Sequence, residues 1–181
     1  MEGSAVHISR RLVPLTVLAV TAAVAVGAVG AHVATDRPTR ALRELTDRAE
    51  LTTLVDRLAG ALDDGDFEQF RTIYTPDATA RTPGGEAIGR EALTAQASRN
   101  HPPDKVVQHF VSNIAIDLDT DSAEIRANLL AVFAPAATDG APPNPGFTLG
   151  EIYRFSARRL PEGWRLARVH STPVWSVGTR F

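Results

Sequence analysis

The sequence predicts an α+β domain in which helices pack on a curved antiparallel sheet. Three observations lead to this fold class. Helical periodicity is confined to the first part of the chain, long strand-like segments fill the second part, and short turns join most successive strands. Helices that are segregated from consecutive strands are typical of α+β proteins. A sheet of long strands curls, so helices on its concave face leave room for a pocket.

The composition is that of one globular domain with a short extension. The chain has 181 residues, of which 44% are hydrophobic and 22% are charged. A net charge of −2 and scattered basic residues argue against binding to nucleic acid. The chain has no cysteine, which excludes disulfides, a thiol nucleophile and cysteine-based zinc sites. No motif has the spacing of metal ligands, so no metal site is predicted.

An uncharged segment, Leu12–Thr35, precedes the predicted domain and follows Arg10 and Arg11. About 20 apolar residues suffice for a transmembrane helix, and a basic pair favours a cytoplasmic N-terminal end. A secretory signal peptide has the same features, so both interpretations stay open. We expect residues 1–35 to be a signal peptide or signal anchor. The domain would then be membrane-anchored outside the cytoplasmic membrane, or secreted.

The part of the chain beyond this segment begins with helices. Residues 36–44 are expected to form a linker and the start of a helix, and residues 45–181 the folded domain. Apolar residues recur at three-and-four spacing over residues 40–64, which predicts a helix ending at Gly65, with Asp66 as the next N-cap. The remaining elements of this half are a helix at 67–74, short strands at 78–82 and 86–88, and a helix at 90–99.

Four long strands fill the second half, at residues 106–119, 122–134, 147–160 and 164–177. In the first of them, strict alternation puts His109, Val111 and Asn113 on one face. We predict that His109 faces the pocket and meets Asp63 from the end of the first long helix. A histidine oriented by a carboxylate is the minimal arrangement for removing a proton. A hydrogen-bonded packing role for His109 is the alternative.

An ordered series of motifs resembles the SnoaL-like branch of the nuclear transport factor 2-like superfamily. The series comprises LAGALDDGD at 58–66, YTPDA at 74–78, GREAL at 89–93, His109, Asn113, DTDSA at 119–123, Tyr153, Arg159 and GWRL at 163–166. The similarity covers about Leu45 to the C-terminus. It implies a cone-shaped α+β barrel with an open-ended pocket, usually a homodimer through the outer sheet face. It also implies that neither a metal nor an organic cofactor is needed.

Within this superfamily the chain is similar to the Asp–His subgroup, which includes scytalone dehydratase and hexachlorocyclohexane dehydrochlorinase. In that subgroup a carboxylate at the end of the first helix holds a histidine on the long strand, and the histidine removes a proton. Asp63 and His109 stand at the matching positions. The resemblance therefore implies a cofactor-independent lyase or isomerase that acts on a small apolar carbon acid, with His109 as the general base and Asp63 orienting it.

Other catalytic positions of the superfamily are not matched. Leu62 stands where the dehydratase has a tyrosine, and residues 122–134 contain no histidine. Leu58 and Thr82 replace the tyrosine and the carboxylate of a steroid isomerase, which disfavours that activity. The incomplete set leaves a second interpretation open, in which the same fold serves as a non-catalytic, membrane-anchored module for ligand binding or assembly.

Further side chains are predicted to contact a substrate: Tyr74, Asn113, Tyr153, Arg168 and His170. Alternation along the last strand puts Arg168 and His170 on the face of Trp164 and Leu166, where they would steady an anion or a leaving group. The tyrosines would donate hydrogen bonds to a substrate oxygen. Packing of the tyrosines and a rim salt bridge of Arg168 are the alternatives. His101, in a proline-rich loop, is expected to be solvated.

Overall fold

A computed structural model of the protein describes residues 22–138 and 140–179. The described residues from Arg43 onward form one compact unit, and the described residues before Arg43 are not part of it. The elements are α1 (Ala22–Asp64), a 3-10 turn (Phe67–Gln69), α2 (Phe70–Ile73), β1 (Tyr74–Thr82), β2 (Gly85–Ile88), α3 (Arg90–Asn100), β3 (Lys105–Asp119), β4 (Ser122–Pro135), β5 (Phe147–Leu160) and β6 (Gly163–Gly178). The predicted order of helices and strands is confirmed.

The strands form one six-stranded sheet in the order β2-β1-β6-β5-β4-β3. The prediction of an antiparallel sheet was wrong at one position, because β1 and β6 run parallel, with Tyr74 opposite Leu166 and Arg81 opposite His170. The other neighbours are antiparallel. A short turn between consecutive strands forces antiparallel pairing, whereas no turn constrains the first strand against the last. The fold is therefore α+β with a mixed sheet.

The apolar stripe of α1 forms much of the core. Its buried residues recur at three-and-four spacing and pack in one cluster with apolar residues of the strands. They are Leu51, Leu54, Val55, Leu58 and Ala61. The helix ends as predicted, since Gly65 has a φ of +67° and the Asp66 N–H donates to the Ala61 carbonyl at 3.0 Å. Asp66 makes no side-chain cap and accepts instead from the Gln69 side chain at 3.0 Å.

The predictions for the N-terminal segment are tested only in part. Residues 12–21 of the segment Leu12–Thr35 lie outside the described residues, and residues 22–35 form the start of α1. Residues 36–44, which were expected to form a linker and the start of a helix, all lie within α1, which continues through Pro38. A proline removes one helical hydrogen bond, and the helix nevertheless continues on both sides of it. None of the described helices is both long and apolar enough to cross a membrane.

The packed part of α1 runs along β3, the outermost strand of the sheet. Near one end, Arg48 Nη1 donates to the Ile116 carbonyl at 2.8 Å. Near the other end, Asp63 accepts from the backbone N–H of His109. The helix covers about 22 Å between Arg48 and Asp63 at 1.5 Å per residue. The strand covers about 23 Å between His109 and Ile116 at 3.3 Å per residue. The two lengths agree, so one stretch of α1 can make both contacts with β3.

Two β-bulges change which side chains face the core. The first lies between Ser112 and Ala115 of β3, where Asn113 has a φ of +53°. Before the bulge the inward side chains are at odd positions such as His109 and Val111. After it they are at even positions such as Ile114, and Asn113 is exposed. The predicted alignment of Asn113 with His109 was therefore wrong. Strict alternation fails because a bulge inserts one extra residue into the strand.

The second bulge lies in β6, where the pairing with β5 shifts between Leu166 and Arg168. Trp164 and Leu166 are buried, but Val169 rather than Arg168 is the next buried residue. The prediction that Arg168 and His170 share the face of Trp164 and Leu166 was wrong for the same physical reason.

Candidate active site

A largely apolar cavity opens between the helices and the concave face of the sheet. The cavity and the open space at its mouth together take up about 810 Å³. Its walls come from the end of α1, from α2, from α3, from the β1–β2 turn and from the inner face of the sheet. The lining residues include Leu58, Leu62, Phe70, Tyr74, Leu93, Gln96, His101, His109, Phe133, Glu151 and Tyr153. Most of the wall is hydrophobic, so the few polar side chains determine how a ligand is oriented.

Asp63 and His109 meet at this cavity, as the sequence predicted. The Asp63 Oδ1 lies 2.6 Å from the His109 Nδ1. The backbone N–H of His109 also donates to the two carboxylate oxygens, at 3.0 and 3.1 Å. The His109 side chain is only 5% exposed, whereas the Asp63 side chain is 26% exposed. The carboxylate is thus held by both the backbone and the ring of the residue it orients.

The contact fixes the state of the imidazole. A carboxylate can only accept a hydrogen bond, so Nδ1 carries the proton that is donated to Asp63. In the neutral ring, Nε2 then carries the lone pair and can accept a proton. The local fold explains the geometry, because Asp63 lies in the last turn of α1, which ends at Asp64 before Gly65, and β3 is the outermost strand. The backbone N–H of His109 on this border strand has no neighbouring strand on that side, so it can donate to the Asp63 side chain.

A second histidine lies beside the first. The rings of His101 and His109 have centroids 5.9 Å apart, and His101 lines the cavity. The expectation that His101 is solvated was wrong, since α3 extends through Asn100 and His101 caps its end. The His101 Nδ1 lies 2.9 Å from the Ala97 carbonyl, which can only accept, so this nitrogen is the donor.

The two predicted tyrosines both line the cavity and are buried. Burial raises the pKa of Tyr74, and Tyr153 nearby adds to this effect. Burial also raises the pKa of Tyr153, with a further contribution from Glu151. The Tyr74 ring packs edge-on against Phe70 at 5.0 Å. Both phenols therefore stay protonated near neutral pH and can act as hydrogen-bond donors.

Two polar residues of the cavity were missed by the sequence analysis. Glu151 is 6% exposed and accepts from the Ser171 hydroxyl at 3.0 Å. Gln96 is 5% exposed and comes from the buried face of α3. A signal was present for each, because Glu151 alternates with Tyr153 on β5 and Gln96 follows Leu93 at helical spacing.

The other predicted contacts lie away from the cavity. Asn113 is exposed at its bulge, and Arg168 pairs with Glu124 at 3.2 Å on the outer side of the sheet. In the strand register, His170 lies opposite Arg154 of β5 and Arg81 of β1. It is not among the residues that line the cavity. Within residues 22–138 and 140–179, no group of three or more His, Asp or Glu side chains is placed to hold a metal ion.

Comparison with known proteins identifies the family. The sequence model of the SnoaL-like domain family matches residues 43–170. This chain is a member of the SnoaL-like domain family. An uncharacterised protein of Mycobacterium tuberculosis is 30% identical over 139 residues, which cover 74% of this chain and 89% of that protein.

Solved structures share the fold. A hexachlorocyclohexane dehydrochlorinase (LinA) of type 2 superposes with a TM-score of 0.66 at 16% identity, over 77% of this chain and 93% of that chain. A candidate scytalone dehydratase of Novosphingobium aromaticivorans superposes with a TM-score of 0.64 at 18% identity, over 76% and 91% of the two chains. These similarities show that the SnoaL-like domain described here has the nuclear transport factor 2-like fold.

Proposed function

We propose that this SnoaL-like protein is a cofactor-independent lyase or isomerase that removes a proton from a small apolar carbon acid. The observation that supports the proposal is the contact of 2.6 Å between Asp63 and His109 at the wall of an apolar cavity. A buried histidine that is only packed needs no carboxylate on its ring. A histidine whose Nδ1 is held by a carboxylate has the tautomer and the orientation that a general base needs.

In the proposed reaction, Nε2 of His109 takes a proton from a carbon atom of the substrate. In an elimination, the electron pair of the broken C–H bond forms a double bond while the leaving group departs with its bonding electrons. In an isomerisation, the proton returns at a different carbon. Asp63 stabilises the imidazolium that forms, because the negative carboxylate lies directly on Nδ1–H. Base catalysis of this kind accelerates a reaction by about 10²–10⁴-fold.

The structural neighbours favour this class of reaction. One is named for the removal of hydrogen chloride from hexachlorocyclohexane, and another for a dehydration. Both names describe an elimination from a carbon skeleton. The largely apolar walls of the cavity suit a substrate with a hydrophobic body.

The proposal can be tested without knowledge of the natural substrate. 2-Indanone is a compact carbon acid with an apolar ring system, and removal of its α-proton in D₂O leads to deuterium incorporation. We expect the protein to accelerate this exchange, measured by NMR or mass spectrometry, and His109→Gln to return it to the buffer rate. Gln108→Leu, an exposed change at the neighbouring residue of β3, should leave the exchange unchanged.

The outcomes separate the two functions considered for this chain. Exchange that persists in His109→Gln would show that His109 is not the base. Binding of 2-indanone with no acceleration of exchange would contradict the catalytic proposal and favour a non-catalytic binding module.

We also propose that the protein forms a homodimer through the outer face of its sheet. One row across this face consists of Phe110, Leu130, Gly150 and Trp175, each opposite the next. Phe110 and Trp175 are 53% and 51% exposed, and Val177 is 66% exposed. Contiguous exposed apolar side chains on a sheet are typical of a protein–protein interface.

Light scattering coupled to gel filtration tests the dimer. We expect a dimer for the wild-type protein and a monomer for Trp175→Asp, because the charge would be buried at the interface. Ile88→Asp changes an apolar residue that is 80% exposed on β2, the border strand at the opposite end of the sheet from β3. This variant should stay dimeric. A monomeric wild-type protein would contradict the proposal.

A further inference from the structure

Basic side chains that are far apart in the sequence lie side by side on the outer face of the sheet. Arg126 of β4 lies opposite Arg154 of β5, and Arg154 lies opposite His170 of β6. The three side chains point away from the cavity, because both sequence neighbours of each residue are buried. Arg126 and Arg154 are exposed, and His170 is half-buried. We refer to these three residues as the basic row.

Within residues 22–138 and 140–179, the arginines of the basic row have no acceptor, unlike the other arginines of the strands. Each of the others donates to a carboxylate or a backbone carbonyl: Arg81, Arg158, Arg159, Arg165 and Arg168. Neither Arg126 nor Arg154 makes an ion pair or a side-chain hydrogen bond with a described residue. Glu124, two residues before Arg126 on the same face, already pairs with Arg168. Asp117 of β3 lies opposite Glu124 rather than opposite Arg126.

Two like charges at these positions weaken the sheet. The Cβ atoms of residues directly opposite each other on neighbouring strands lie about 4.5–5.5 Å apart, and like charges there are destabilising. Uncharged residues at both positions would pair without this cost. The basic row therefore points to an anion that binds both guanidinium groups at once, because such an anion would replace the repulsion with attraction.

The number of charges and donors indicates which anion fits. A phosphate monoester carries a charge of about −1.5 to −2 near neutral pH, which matches two unpaired guanidinium groups. Each guanidinium can donate two parallel hydrogen bonds to phosphate oxygens. The His170 ring carries at least one N–H in either protonation state, so three strands supply donors to the three oxygens. A carboxylate has one charge and two oxygens, and would leave one guanidinium uncompensated.

We infer that the basic row binds a phosphate monoester on the outer face of the sheet. The cavity lies on the other side of β5, where Tyr153 forms part of its wall. The basic row also lies about 13 Å along the strands, at 3.3 Å per residue, from the apolar row proposed for the dimer. The inference therefore depends neither on the proposed reaction nor on the proposed dimer.

Phenyl phosphate and benzoate test this site, since they share a ring and differ in the anionic group. Binding is measured by NMR titration of the full-length protein at low ionic strength. Arg154→Gln removes one charge of the basic row. Arg165→Gln is the matched control, because it removes the same charge from a strand arginine that donates to a backbone carbonyl and therefore frees no carboxylate.

We expect the wild-type protein to bind phenyl phosphate about tenfold more tightly than benzoate. Loss of one hydrogen-bonded charge weakens binding by about tenfold, so Arg154→Gln should lose that factor for phenyl phosphate, and Arg165→Gln should lose no more than about twofold. Without ligand, Arg154→Gln should unfold at the same or a higher temperature, because a repulsion is removed. The deuterium exchange of 2-indanone should be unchanged in Arg154→Gln, since the cavity is intact.

Vesicles distinguish a lipid source of the phosphate from a soluble one. Phosphatidic acid carries a phosphate monoester as its head group, and phosphatidylcholine vesicles without it are the control. Binding to phosphatidic acid that falls in Arg154→Gln would assign the phosphate to a lipid, whereas binding of phenyl phosphate alone would assign it to a soluble molecule. The inference is wrong if benzoate binds as tightly as phenyl phosphate, or if Arg165→Gln weakens binding as much as Arg154→Gln. It is also wrong if neither phenyl phosphate nor phosphatidic acid binds.

Discussion

The aspartates Asp47 and Asp63 belong to the same helix and have opposite surroundings. Asp47 is 5% exposed, pairs with Arg159 at 2.5 Å and accepts from the Trp164 Nε1 at 3.3 Å. Arg159 in turn lies 4.4 Å from the centre of the Trp164 ring and pairs with Asp121 at 3.3 Å. Asp63 has one side-chain contact in the described structure, with the His109 ring.

The two aspartates differ in whether the partner of the carboxylate can exchange a proton. The Arg159 guanidinium holds the pKa of Asp47 below its usual range, and both partners of this carboxylate are permanent donors. A guanidinium cannot release its proton in a protein, so the pair cannot take part in proton transfer. The partner of Asp63 is an imidazole, a group that can both accept and release a proton, and this ring lines a cavity. We therefore expect Asp47 to determine stability and Asp63 to determine activity.

The largest effect on stability is expected for Asp47→Ala. Removal of one partner of a buried ion pair leaves the other charge uncompensated, which costs about 3–5 kcal/mol. The half-buried position of Arg159 favours the lower end, about 3 kcal/mol. Urea denaturation would measure the change. Glu44→Ala breaks an exposed pair with Arg48 in the preceding turn of α1 and should cost no more than about 0.5 kcal/mol. Equal effects of the two variants would contradict the comparison.

Asp63→Asn tests the other half of the comparison. The uncharged amide no longer stabilises the imidazolium, so we expect the exchange of 2-indanone to fall by about 100-fold. The free energy of unfolding should change by only about 1 kcal/mol, since one hydrogen-bonding group replaces another. Asp64→Asn removes the same charge from the adjacent exposed residue and should alter neither quantity. A large loss of stability with unchanged exchange would mean that Asp63 is a structural residue.

Acid pH should affect Asp47 in a defined direction. Its pKa is lowered in the folded state, so its ion pair stabilises the fold fully above the ordinary carboxyl pKa of 3.8. The contribution is lost as the pH falls through the lower, folded value. The difference in unfolding free energy between the wild-type protein and Asp47→Asn should be constant from pH 5 to 7, as general reference values for Asp imply, and shrink below about pH 4. A difference that grows on acidification would contradict this.

The smallest signal is expected from the tyrosines. The chain has two, Tyr74 and Tyr153, and burial raises the pKa of both in the folded state. Absorbance at 295 nm should therefore stay flat through the usual tyrosine pKa of about 10 and rise only when the protein unfolds. Since unfolded tyrosines ionise first, this contribution to stability is present below about pH 10 and lost above it. Ionisation of either phenol in the folded protein would show that it reaches solvent.

Much of the fold follows from local patterns. Turn residues and periodicity predict β3 and β5 to within one residue, because long strands bounded by turns have few alternatives. The contact of Asp63 with His109 was predicted from the position of His109 on a long strand and was supported by the resemblance to the Asp–His subgroup. The bulges at Asn113 and next to Arg168 were missed, since nothing local distinguishes a bulged strand from a regular one.

The parts of the site that were missed depend on packing between distant elements. The partner of Glu151 comes from β6, and the lack of a partner for Gln96 is a property of the whole cavity wall. A polar residue at a buried position of a helix or strand is visible in the sequence. Whether it is satisfied becomes visible only when the surrounding elements are in place.

The contacts of Arg48 and Asp63 with β3 have a consequence for association between molecules. An outermost strand of this length would offer a row of backbone groups to strands of other molecules, which is a common route to aggregation. The helix occupies that row at Ile116 and at His109. The opposite border of the sheet is β2, which is only four residues long. Substitutions that loosen α1 from β3 are therefore expected to promote fibre-like assembly before they abolish the fold.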